Sequence, residues 1–316
     1  MTLDEIKKEI EKAKTIAILV HDNPDGDAIG SAIAMSYSIE QLGNKADIII
    51  PEYPSNFEFL PKTKEFLKES ENKNYDLAIA LDCGSQKQVH GYEEYFETAK
   101  TKVVIDHHRS NPMYGDFNYV DEHSPAVCQL LLAIFNYYNI EITKEIGEAI
   151  LSGIITDTGG FRYDSVTEET FDFVAELYRK GIKVSDVYQR VFSDKTISKF
   201  KLHQIAMNRY ELLEDGKVAY TYITKEDEKN VNAQNGDHDG IVEIGRDIDS
   251  VEVSFFLRET DKGIKGSIRS KNYVNVSEIS MMFGGGGHIR AAGFTIDGDM
   301  EKIKEQVLLT IKGYLE

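Results

Sequence analysis

His21, Asp22, Asp25 and Asp27 place an imidazole and three carboxylates within the first seven residues of HDNPDGDAIG. Further acids follow other apolar runs. Asp82 ends LAIALD, Asp106 ends VVID just ahead of His107 and His108, and Asp157 lies in GIITDTGG. Carboxylates packed closely cannot all stay ionised without compensation. Divalent cations compensate them, and imidazole mixed with carboxylate is a ligand set for such ions. One ion would leave several of these acids without a partner. Two ions, roughly 3.5–4 Å apart and bridged by a carboxylate, would use most of them.

These side chains can meet only if the elements before them bring them together. TIAILVH, ADIIIP, DLAIALD and KVVIDHH are continuous apolar runs of strand length, the pattern of strands covered on both faces. DAIGSAIAMSYSIEQLG is helix-like and stops at Gly43, and AVCQLLLAIFNYYN and TKEIGEAILSGII add helical patterns. The alternation predicts a doubly wound α/β domain with a mainly parallel sheet. In such sheets ligands bind outside the carboxyl ends of the strands, so the acids are expected to share one crevice.

Thr2 to Glu5 matches a capping box, as does Ser165 to Glu168 ahead of a helix ending at Gly181. VSDVYQRVF and ISKFKLHQIAMNRYELLE continue the helical pattern and read as a connector. From Lys217 the pattern alternates: KVAYTYIT, SVEVSFFLRET and GIKGSIRSK read as strands, with DKG as a hairpin turn between the last two. VSEISMMF and MEKIKEQVLLTIKGYL read as helices flanking GGGGHIRAAGFTI. The expected division is a catalytic domain over 1–185, a helical connector over 186–213 and a smaller α+β domain over 214–316.

The 316 residues suffice for two domains, and 41% hydrophobic content allows a packed core. A net charge of -18 argues against a track for long nucleic acid or an anionic membrane, though not against a small phosphorylated substrate held through cations. No apolar stretch approaches a membrane span, and MTLDEIKKEIEKAK is too charged for a signal peptide. Cys83 and Cys128 form no framework, and Cys83 reads as a packing residue. A reduced, cytoplasmic protein is expected.

Each piece has an ordinary reading when taken alone. Asp25 and Asp27 could shape a turn and cap a helix, Asp82 could be a strand-end turn acid, and Asp157 a loop acid beside two glycines. The case rests on the joint pattern, and at these residues the chain resembles the DHH phosphoesterase family. HDNPDGDAIGS, LDCGS, DHHRSN and GIITDTGGFRY resemble its four motifs, and GSIRSK and GGGGHIRAAGF its DHH-associated domain. Among its branches the chain looks most like the stand-alone, NrnA-like nanoRNases.

The resemblance implies two manganese sites. His21, Asp25 and Asp82 would hold one ion and Asp27, Asp82, His107 and Asp157 the other, with Asp82 bridging. Asp106 would orient an imidazole, and His108 would face the scissile phosphate as donor or proton carrier. Metal-assisted phosphoester hydrolysis follows from such a cage, with no serine or cysteine nucleophile. Arg269, Gly285, Gly286, Gly287 and His288 would bind the phosphate or sugar away from the cut, through guanidinium donors and closely approaching backbone. Arg162 and Arg290 read better as surface arginines, and His238 as an exposed loop histidine. A cleft between the domains would admit only a short chain.

The implied partners are short RNA oligonucleotides, dinucleotides such as pApA and phosphorylated nucleotides such as adenosine 3',5'-bisphosphate. A homodimer is left open by the resemblance alone. The rival readings are a cyclic dinucleotide (cyclic di-AMP) phosphodiesterase, a pyrophosphatase, and a non-catalytic nucleotide-binding regulator on the same fold.

Overall fold

The apolar runs at Ile16–Leu19 (β1) and Leu77–Leu81 (β3) are buried along their whole length, as strands covered on both faces must be. The computed structural model describes residues 3–89, 92–193 and 195–315, so Thr2 of the first expected capping box lies outside the described residues. The chain divides into two compact units, the first covering the described residues through 193 and the second starting at Lys195. The residues expected to form a connector fall on both sides of this division.

In the first unit, helix α1 (Leu3–Lys12) precedes β1, and α2 (Gly26–Gln41) follows it. Next come β2 (Ala46–Ile49), β3, a short α3 (Glu93–Glu97), β4 (Thr101–Asp106) and β5 (Phe117–Val120). The strands form one parallel sheet in the order β2-β1-β3-β4-β5. Helices α4 (Val127–Tyr138), α5 (Lys144–Asp157), α6 (Glu168–Arg179) and α7 (Val184–Tyr188) follow, and α7 runs on into a π-type turn over Gln189–Ser193. Ile16, Ile18, Ile79 and Ile105 point to one side with α2, α4 and α5; Ala17, Leu19, Ala80 and Val104 point to the other, beside Tyr92, Tyr95 and Phe96. Burial of each such Ile or Leu contributes about 1.5–3 kcal/mol.

β5 carries no strand signal in the sequence. It is a four-residue edge strand, half-buried throughout, so it lacks the long apolar run of its neighbours. The cap of α6 is Thr167, two residues beyond the Ser165 expected, and Thr170 answers it in the box. Gly43 and Gly181 adopt left-handed φ values of 89° and 90° where their helices stop.

Two glycines let helices approach closely beside the future site. A Cβ on Gly30 of α2 would collide with the Ala149 carbonyl oxygen of α5. A Cβ on Gly153 of α5 would collide with Cys128 Sγ and crowd Asp27 Oδ1. Larger residues there would push α5, and Asp157 at its end, away from Asp27.

The second unit opens with α8 (Ile197–Asn208). The helical reading through Glu214 runs too far, because Glu211–Leu213 is an antiparallel strand, β6, beside β7 (Val218–Ile223). The turn between them needs left-handed backbone at Glu214, Asp215 and Gly216, which ends any helix. Helices α9 (Lys225–Val231) and α10 (Ile241–Arg246) carry the chain across to β8 (Val253–Thr260), which pairs parallel with β7. β8 and β9 (Gly263–Ser270) form the expected hairpin. After α11 (Val276–Met282), the glycine-rich tract pairs as β10 (Gly286–His288) with β11 (Ala291–Ile296), and α12 (Met300–Lys312) closes the chain. Sheet order is β10-β11-β9-β8-β7-β6. Phe255, Leu257 and Ile268 pack with Ile279, Ile303 and Val307, while Phe256 packs with Leu202, Ile241 and Val242.

Candidate metal centre

Strand order reverses at β1, because β2 lies on one side of it and β3 on the other. That switch point opens a crevice beyond the carboxyl ends of the strands. Asp25 and Asp27 follow β1, Asp82 follows β3, and Asp106, His107 and His108 end or follow β4. Asp157 reaches the same place from the last residue of α5, a helix.

Three sets of donor atoms lie within 4.8 Å of one another: His21, Asp25 and Asp82; Asp27, His107 and Asp157; and Asp82, His107 and His108. Asp82 joins them. Its Oδ2 is 3.7 Å from His21 Nε2, and its Oδ1 is 3.5 Å from His107 Nε2. Asp82 is 2% exposed, and Oδ1 is buried with no hydrogen-bond partner among the described residues. A buried carboxylate oxygen without a hydrogen bond is costly, and a cation at that point would satisfy it. Two oxygens aimed at two donor sets fit two ions with Asp82 between them.

Asp25 shows that capping a helix and offering a ligand are compatible. Its Oδ1 accepts from the backbone N–H of Asp27 and Ala28 as the N-cap of α2. Asp27 is fully buried and caps a different helix: its oxygens accept from Val127 N at 2.6 Å and Cys128 N at 2.9 Å at the start of α4, whose own N-cap is Ala126. Burial first, then the neighbouring Asp82 charge, hold the Asp27 carboxyl up at about 7. Burial likewise pushes Asp157 well above the usual carboxylate range, with Asp25 and Asp27 adding repulsion. Burial opposes ionisation of Asp82 too, but His107, His21 and His108 outweigh it and hold Asp82 low.

The two adjacent histidines are oriented differently. His107 Nδ1 lies 3.0 Å from the Ser124 carbonyl oxygen, to which it donates, so Nε2 faces Asp82 and Asp157, the latter at 3.3 Å. His108 Nδ1 lies 2.7 Å from Asp106 Oδ1. Asp106 is fully buried, and its Oδ2 accepts from Asn111 Nδ2 at 2.6 Å. Burial lowers the His108 pKa, but the Asp106 contact outweighs it and leaves the pKa raised. The imidazole that Asp106 orients is therefore that of His108. Asn111 and Ser124 were not singled out from sequence; the only signal was Asn111 inside DHHRSN. Asp22 stands exposed, outside all three donor sets. Cys83 and Cys128 are buried free thiols.

In the second unit, the register aligns Arg269 with Ala291 and Ala291 with His288, so the three residues form one row across β9, β11 and β10. Gly286 and Gly293 pair in the next row on that face. A Cβ at Gly286 would meet nothing within 4 Å, whereas Cβ atoms at Gly285 and Gly287 would strike β11 backbone. Gly285 and Gly287 are thus demanded by strand pairing, and Gly286 leaves open floor. Arg269 Nε donates to Glu243 Oε1 at 2.9 Å, which fixes that edge of the guanidinium. Glu243 lies in a stretch whose sequence suggested no role. Arg290 donates to the Val274 carbonyl, and Arg162 to the Gly159 carbonyl. His238 is not an exposed loop residue: it is half-buried, donating from Nε2 to Glu228 at 2.6 Å and accepting at Nδ1 from Arg258 at 3.0 Å.

The DHH family N-terminal domain matches residues 15–154, and the DHHA1 domain matches residues 215–315. The bifunctional oligoribonuclease and PAP phosphatase NrnA of Thermus thermophilus is 32% identical over 320 residues, covering 98% of this chain and 94% of that protein. The chain belongs to the DHH family. The NrnA protein of Bacillus subtilis, with the same description, is 24% identical over 92% of each chain. A crystal structure of an exopolyphosphatase-related protein from Bacteroides fragilis aligns with a TM-score of 0.91 at 29% identity, covering 98% of this chain and 96% of that one. As a DHH-family phosphoesterase, the protein hydrolyses phosphoester bonds. Among the described residues no helix is long and apolar enough to cross a membrane.

Proposed function

We propose that the chain hydrolyses short oligoribonucleotides such as pApA to mononucleotides, and adenosine 3',5'-bisphosphate to AMP, at a centre of two divalent ions, most suitably Mn2+. The observation that carries this reading is Asp82, whose two oxygens face separate donor sets while one stays buried without a hydrogen bond among the described residues. His21, Asp25 and Asp82 would hold one ion, and Asp27, Asp82, His107 and Asp157 the other. Divalent ions held there would supply acidification of water and stabilisation of charge on the phosphoryl oxygens.

The protein side chains do the rest. Ser124 fixes the His107 ring so that Nε2 is the coordinating nitrogen. Asp106 holds His108 Nδ1–H, so proton exchange with the leaving sugar oxygen runs through Nε2. Asn111 keeps Asp106 in place. Arg269 and His288, flanking Ala291, would grip a phosphate, with the open backbone at Gly286 beside them for a sugar. The similarity to NrnA proteins supports this substrate class.

Initial rates of metal-stripped protein resupplied with Mn2+, on pApA, adenosine 3',5'-bisphosphate and cyclic di-AMP side by side, test the proposal. Turnover of the first two, abolished in Asp82→Ala, is expected. Faster turnover of cyclic di-AMP would replace it with the cyclic dinucleotide reading. Tight binding of all three without turnover would point to a regulator.

A further inference from the structure

Asp82 sits in a conformation that few non-glycine residues hold, though aspartate tolerates it better than most. Its φ is 54°, in the left-handed region, at the point where β3 leaves the sheet. Residues held this way persist only where the surroundings over-determine them, and they cluster at functional sites. Two anchors hold this turn. On the N-terminal side, Asp82 N–H donates to the Ile105 carbonyl of β4 at 3.1 Å. On the C-terminal side, the Cys83 carbonyl accepts two side-chain donors, Tyr114 OH at 3.0 Å and Asn111 Nδ2 at 3.2 Å.

Asn111 also serves Asp106, so it belongs to the His108 arrangement. Tyr114 has no such second duty among the bonds described. It arrives from the segment between β4 and β5, its ring tilted against Phe96 at a centroid distance of 5.4 Å. We propose that Tyr114 is a positioning residue for the metal centre: its hydroxyl pins the Cys83 peptide, which keeps the left-handed turn at Asp82 and so aims the two carboxylate oxygens at the two donor sets. The inference rests on the two-ion reading above. The logic is preorganisation, in which a ligand already aimed gives up less freedom when an ion arrives.

Tyr114→Phe removes the hydroxyl and keeps the ring packed on Phe96. Titrating MnCl2 into metal-stripped protein by calorimetry, with thermal unfolding in EDTA alongside, separates positioning from scaffolding. We expect Mn2+ affinity to fall by about three- to tenfold, the scale of one lost hydrogen bond. Unfolding in EDTA should stay within a few degrees of the parent, and turnover should recover at higher Mn2+. Unchanged Mn2+ affinity overturns the proposal. So does an affinity loss matched by a large drop in EDTA melting temperature, which marks a purely structural tyrosine. If the parent chain itself takes up no Mn2+, the two-ion reading fails first and this inference falls with it.

Discussion

Stripping divalent ions from the protein and then raising the pH should destabilise its first unit, which is unusual behaviour for aspartates. Burial and the Asp82 charge raise the Asp27 pKa from 3.8 to about 7. Between those values the folded state holds a proton that the unfolded state has released, so stability falls as pH rises through that range. At about 1.36 kcal/mol per pH unit, the whole interval is worth on the order of 4 kcal/mol, and the part between pH 5 and 7 on the order of 3 kcal/mol. Asp157, also raised, acts in the same direction. So does His107: burial lowers its pKa, but Asp157 and Asp82 outweigh that and hold it high, and its stabilisation fades as pH climbs through the raised value. Asp82 is held low, so its contribution is constant above pH 5. A unit of this size loses about 2–4 °C of melting temperature per kcal/mol. Differential scanning calorimetry in EDTA should therefore show the first unit melting roughly 5–10 °C lower at pH 8 than at pH 5. Adding Mn2+ at about 100 times its dissociation constant should restore about 2.7 kcal/mol at pH 8 and far less at pH 5, because the ion must displace those protons. A melting temperature that is flat or rising with pH in EDTA, or a larger Mn2+ effect at pH 5, would refute the reasoning.

Other consequences are equally direct. Gly286→Ala should fold like the parent, because nothing lies within 4 Å of the new methyl, yet raise KM for pApA about tenfold; an unchanged KM would remove Gly286 from the recognition surface. Gly285→Ala should instead destabilise the second unit, since its methyl would strike Gly293 and Phe294 of β11, and chemical denaturation would read this directly. Asp106→Asn should leave Mn2+ binding intact but cut kcat by about 10²–10⁴-fold, as the His108 tautomer is lost; a kcat within threefold of the parent would contradict the assignment. Burial, and then Arg258, push the His238 pKa down to about 3. The unfolded state takes up that proton below about pH 6.5, so the second unit should lose on the order of 3 kcal/mol between neutrality and pH 4. His238→Asn should flatten that slope in urea titrations run across the same range.

The parallel sheet and the metal-ligand candidates were legible in the sequence for a single physical reason. A strand buried on both faces must be apolar throughout, so an acid directly after it marks the crevice end of that strand. Asp25, Asp27, Asp82 and Asp106 announced themselves this way, with His21 and His107 beside them; Asp157 closes a helix instead, and stood out only as an acid at the end of an apolar segment. β5 and β6 did not, because short edge strands bury too little to need an apolar run. Nor did α9 and α10, which lie in a polar stretch with weak periodicity.

The chain's chemistry is local information: which residues can bind cations, and which runs must be buried, are properties of residue type and order. Orientation is not local. Asp82 faces both donor sets because of its left-handed turn, held by Tyr114 and Asn111 from 28 residues or more away. His107 and His108 are neighbours in sequence, yet Ser124 turns one toward Asp82 and Asp157 while Asp106 holds the other. Arg269 is aligned with His288 by strand register and braced by Glu243 from a helix. Hydrogen bonds and registers between distant segments exist only once the chain is folded, so the tertiary structure alone decided how these candidate ligands and binding residues are aimed.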